Sequence, residues 1–156
     1  MRLRDTLSAV GVLASLAGCG STEGETPSAC LVPARAYVAA LAAAPDPVRL
    51  AGDTPISDCL GGTQEAGTQA DVGQTIVAVA TRLNGEARRD PGGPQTVRLG
   101  YLVGAVERGA AQSSGINADL VRRLEAAARF EPGPGIFGAV FERAYGKGYA
   151  AGQESG

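Results

Sequence analysis

Histidine and tryptophan are missing from this 156-residue chain, and Lys147 is its only lysine. Without His, neither Ser-His-Asp nor Cys-His catalysis is available, and zinc sites containing imidazole are excluded. Three cysteines fall short of a Cys₄ zinc site. Aromatic residues are only 4% of the chain, so its core must rely on aliphatic and small side chains. No basic excess is present at a net charge of −2, which removes the electrostatic footprint of a nucleic-acid binder. Long apolar runs are also lacking. Leu7–Ala17 is uncharged, but it is about half the roughly 20 residues a spanning helix needs, and no later segment approaches that length. What remains is 44% hydrophobic and 19% charged, which suits one globular domain.

The first residues carry Arg2 and Arg4, then the short apolar run, then Leu16-Ala17-Gly18-Cys19. A positive start, a brief apolar stretch and a small-residue exit describe a secretory signal peptide. The run has no polar face at helical spacing, so it suits an amphipathic core helix poorly. Leu16-Ala17-Gly18-Cys19 resembles the lipobox of bacterial lipoproteins. That resemblance implies cleavage before Cys19 and a diacylglycerol on its thiol. Residues 1–18 are then a signal peptide and 19–28 a lipidated tether. More than one acyl chain gives stable membrane anchoring. The implied location is the extracytoplasmic face of a bacterial cell membrane, and the implied partner is the membrane through Cys19. Gly20–Ser28 is small, polar and acidic, reaching about 30 Å when extended. In such an exported chain the two remaining cysteines, Cys30 and Cys59, are expected to form a disulfide.

From residue 29 to residue 152 the pattern is that of an all-α domain, a small bundle of four to five helices with one disulfide. Residues 153–156 are expected to be a disordered tail. Ala34–Ala44 is Ala-rich with Tyr37, Val38 and Leu41 on one side, and Pro45-Asp46-Pro47 ends it. One turn carrying Cys59 is expected at Pro55–Leu60. Over about Gly67–Arg89, Val72, Ile76, Val79 and Leu83 form a core-facing stripe. Gln95–Ala111 follows, with Leu99, Leu102, Val103 and Val106 inward. Its Gly100 and Gly104 share a face, which costs helix stability unless a neighbouring backbone comes close. Asn117 reads as an N-cap, with Ile116 and Val121 as a hydrophobic staple. A last helix is expected over about Ile136–Ala150.

Several patterns invite sharper assignments. Gly133–Gly138, "GPGIFG", matches a dinucleotide fingerprint but follows a helix where that motif needs a strand. Ala111, Gly115, Ile116, Val121 and Leu124 have the spacing of a DNA-binding helix-turn-helix, yet that spacing by itself specifies only a tight corner. Such a protein would act only if the export signal were unused. Phe137, Phe141, Tyr145 and Tyr149 recur every four residues. A row at that spacing drifts by about 40° per step. Phe137 and Phe141 are therefore expected inside with Ile136 and Val140, while Tyr145 and Tyr149 line a rim. The four form a possible partner surface for an envelope protein or an apolar ligand. Asp53, Asp58, Glu65 and Asp71 offer carboxylates for a cell-envelope hydrolase. No catalytic residue, metal ligand or cofactor site is assigned from the sequence. The leading expectation is a non-enzymatic binding or scaffolding module.

Overall fold

The computed structural model describes residues 25–61, 65–113, 115–130 and 136–156. Cys19, the leader, residues 19–24 of the tether and residues 133–135 of the glycine motif lie outside the described residues. The fold is all-α. Among the described residues, five α-helices run over Ala34–Ala40 (α1), Ala66–Ala87 (α2), Pro94–Ala111 (α3), Ala118–Ala128 (α4) and Ile136–Ser155 (α5), with 3₁₀ turns at Ser28–Leu31, Leu41–Ala43 and Ile56–Leu60. The only β pairing among the described residues is a single bridge between Leu50 and Thr54.

The helix α3 occupies the centre. Every residue from Leu99 to Val106 is buried, as befits a helix that is apolar all round rather than striped. Pro94 opens it in the first turn, where a missing N–H costs nothing. On one side lies α2, presenting the expected stripe of Val72, Ile76, Val79 and Leu83, all buried. The short amphipathic α4 adds Leu120, Leu124 and Ala128 and keeps its charges outside. Tyr37 of α1 is fully buried, and its hydroxyl donates to Cys30 O at 2.9 Å. Beside it, Cys30 and Cys59 form a disulfide joining the Ser28–Leu31 and Ile56–Leu60 turns.

The opposite side of α3 is covered by α5, at backbone-to-backbone distance. A Cβ on Gly100 would lie 2.9 Å from Tyr149 N, and one on Gly104 would lie 3.1 Å from Gln153 N. The relation is mutual. A Cβ on Gly148 would lie 2.9 Å from Tyr101 N, and one on Gly152 would lie 2.9 Å from Ala105 N. Glycines at four-residue spacing on both helices thus form one seam in which neither partner has room for a side chain. In sequence, Gly148 and Gly152 look only like helix-weakening residues; their partner backbone is what gives them a use.

The chain end is the main correction to the sequence-based expectation. Residues 153–156 are not a loose tail: α5 continues through Ser155, and Gly156 is buried. Its carbonyl oxygen accepts from Ser57 Oγ at 2.5 Å, and Arg49 Nη1 donates to Ser155 O at 2.8 Å. Arg108 donates to Gln153 O at 3.0 Å and also to Glu154 O. The last carbonyls of a helix have no partner within it, and cationic donors satisfy them best. Tyr101 adds a further fastening, its hydroxyl pairing with Ser155 Oγ at 3.0 Å and accepting from Val48 N at 3.0 Å.

Asn117 also departs from expectation. It stands at the start of α4 without capping it. Its side chain is buried and turned the other way, donating to Leu60 O at 2.9 Å and accepting from Gln69 Nε2 at 2.7 Å. A capping role would have satisfied one helix; this one joins α4, α2 and the disulfide-bearing turn. Ile116 is 59% exposed rather than folded into a staple. Gly115, at φ +85°, makes the α3–α4 corner in a conformation that side chains disfavour.

Candidate functional site between α3, α4 and α5

The aromatic row of α5 is continuous in space. The Phe141 and Tyr145 rings stack at 5.6 Å between centroids, and Tyr145 and Tyr149 stack at 6.3 Å. Phe130, just past α4, meets Phe141 edge-on at 4.8 Å. The Arg88 guanidinium caps the far face of this group, 5.2 Å above the Phe130 ring. Phe141 is buried as expected. Phe137 is not: it is 69% exposed, because the drift of the row carries it off the face that meets the core.

Three helices converge beside this row on a hollow of about 270 Å³. Carbon lines one part of it, from Val103 on α3, Ala128 on α4, and the rings of Phe130, Phe141 and Tyr145. Carboxylates line another, Glu107 from α3 and Glu125 from α4, and Arg129 completes the rim. Glu107 is held in place by two donors. Tyr149 Oη hydrogen-bonds to its Oε2, and Gln153 Nε2 donates to the same oxygen at 3.2 Å. Burial pushes the Tyr145 phenol well above its ordinary range, and the carboxylates of Glu107 and Glu125, with the neighbouring Tyr149 hydroxyl, push the same way. Tyr149 is raised too, first because its hydroxyl donates to Glu107 and then by burial.

Of the four aromatic residues singled out in the sequence, the structure places Phe141 and Tyr145 in the hollow's lining and Tyr149 beside it. Glu107, Glu125, Val103 and Phe130 were missed. One local signal existed for Glu107: it follows directly on the apolar stretch Leu102–Val106 and sits four residues after Val103, so it emerges on the same face beside packed neighbours. The four acids considered for hydrolysis, Asp53, Asp58, Glu65 and Asp71, are all exposed, and none lines this hollow. No group of three His, Cys, Asp or Glu residues that could hold a metal ion occurs among the described residues.

Two other hollows are less distinctive. One, of about 180 Å³, lies between Gln69 and Gly73 of α2 and Ile116 and Leu120 of the corner. The other, of about 480 Å³, is lined by Arg82, Glu86, Arg89 and Asp90, and there Arg82 and Glu86 already pair at 3.0 Å. At the helix-turn-helix corner, Arg122 is paired with Asp119 at 3.0 Å. None of the described helices is long and apolar enough to cross a membrane. No protein-family model, curated protein or solved structure matches the chain.

Proposed function

We propose that this chain is a lipid-anchored protein of the bacterial envelope whose helical body binds a partner at the hollow between α3, α4 and α5. The anchor rests on Leu16-Ala17-Gly18-Cys19 behind a short apolar run and Arg2 and Arg4. The binding role rests on one observation: a row of stacked rings and carboxylates from separate helices meet in a concavity. Sites of this kind, apolar with a few converging polar groups, are where ligands bind by default. The disulfide supports an oxidising compartment.

The anchor is tested by intact mass and membrane fractionation of the native chain beside Cys19→Ser. Loss of residues 1–18, added acyl mass and pelleting of the native chain alone support the reading. A full-length, unmodified, soluble native chain refutes it.

The hydrolase reading keeps one supporting observation, since Glu107 and Glu125 from different helices line the same aromatic hollow. Two carboxylates beside stacking rings are the minimum for glycan cleavage. Release of products from envelope glycan, abolished by Glu125→Gln, would favour it over simple binding; no release from the native chain would discard it.

A further inference from the structure

Building on the proposal that this hollow is a binding site, we infer that its ligand is a small organic cation, an amine or a quaternary ammonium. Charge is the first reason. Glu107 and Glu125 both line the hollow, and neither forms an ion pair; the pairs among the described residues are Arg82–Glu86 and Arg122–Asp119. Arg129 also lines the hollow, exposed like Glu125, and Arg88 stands over the outer Phe130 ring, so within the lining two carboxylates face one cation. Burial raises the Tyr145 phenol first, and both carboxylates act on it in the same direction. The lining therefore carries a net charge of −1, from two carboxylates against one guanidinium.

Surface chemistry is the second reason. Two carboxylates are too few ligands for a hard metal ion, which takes six or more oxygens or retains its waters. Much of the lining is carbon, from Val103, Ala128, Phe130 and Phe141, and it would strip a hydrated ion without replacing its shell. A cation carrying its own methyl or methylene groups satisfies both halves of the lining at once. Its hydrocarbon meets the rings and its charge meets the acids.

Size is the third. About 270 Å³ admits a group of choline's bulk but not a folded peptide segment.

The test is a titration of the native full chain in detergent with choline and with its uncharged isostere, 3,3-dimethylbutan-1-ol, followed by tyrosine fluorescence. Saturable choline binding is expected, at least tenfold tighter than the isostere and weakened at least fivefold by Glu125→Gln. Glu125 is exposed and takes no part in the ion pairs among the described residues, so this variant folds. Equal binding of both probes would overturn the cation assignment and leave the hollow as an apolar binding site. Choline binding unchanged by Glu125→Gln would place the cation elsewhere and overturn it as well. Binding of neither probe would overturn both the inference and the role given to the hollow, without touching the Cys19 anchor.

Discussion

Replacing Gly148 and Gly146 by alanine should move stability in opposite directions, although the two lie within one turn of the same helix. In Gly148→Ala the new methyl stands 2.7 Å from Val97 C and 2.9 Å from Tyr101 N, where ordinary contact begins at 3.4 Å. Its neighbours are backbone atoms of α3, so no side chain can swing aside. The helices must part locally by something on the order of 1 Å, in an interior that is close-packed on both sides. Overpacking of this kind costs up to about 3 kcal/mol. Alanine's better helix propensity returns about 1 kcal/mol, leaving a net loss of about 2 kcal/mol. For a domain of this size that lowers Tm by roughly 6–8 °C. In Gly146→Ala the methyl meets nothing within 4 Å. Only the propensity remains, a gain of about 0.5–1 kcal/mol, or a Tm rise of roughly 2–4 °C. Thermal unfolding followed by circular dichroism, with the disulfide intact, reads both. A Gly148→Ala variant at or above the native Tm would refute the seam, and so would an equal loss in Gly146→Ala.

Other expectations follow from the same geometry. Reducing Cys30–Cys59, or replacing both by alanine, frees a separation of 29 residues, and should cost about 3–4 kcal/mol on the chain-entropy account; urea unfolding with and without reductant measures it. Asn117→Ala strips the Leu60 carbonyl of its donor and Gln69 of its acceptor, for an expected loss of about 1–3 kcal/mol; a change below about 0.5 kcal/mol in urea unfolding would contradict this. Burial raises the Tyr37 and Tyr145 phenols above the ordinary 10.0. The unfolded chain then releases protons that the folded one keeps. Stability should be full below pH 10 and fall as pH rises beyond it. Phenolate absorbance should jump together with loss of helical dichroism; four tyrosines titrating smoothly with the helices intact would be the contrary result.

The sequence disclosed what repeats at helical spacing and little of what crosses between helices. Val72, Ile76, Val79 and Leu83 announced the buried face of α2 because one helix's period is written in one stretch of chain. Leu99, Leu102, Val103 and Val106 did the same for α3. The cysteine pair was legible by elimination once Cys19 had been set aside. The α5 glycines were not legible in this way. A glycine's cost is local, whereas its use depends on which backbone faces it, and that depends on the register of two helices. Asn117 failed for a related reason: its local context offered a cap, but Leu60 and Gln69 offered more from elsewhere in the chain. The hollow draws on Val103, Glu125 and Phe141, three positions far apart along the chain, and nothing at any one of them signals the other two.

The disulfide also fixes how the domain carries a load. Tension on the chain before Cys30 does not have to run through α1 and the irregular segment behind it. The covalent link carries it to Cys59 directly, in a turn whose Ser57 and Leu60 are tied to Gly156 and Asn117. The residues between the two cysteines are thereby spared from tension. A pull on the amino-terminal side reaches the centre of the bundle at a point braced by both α4 and the end of α5, so the domain should resist extension as one body rather than peel from its first helix.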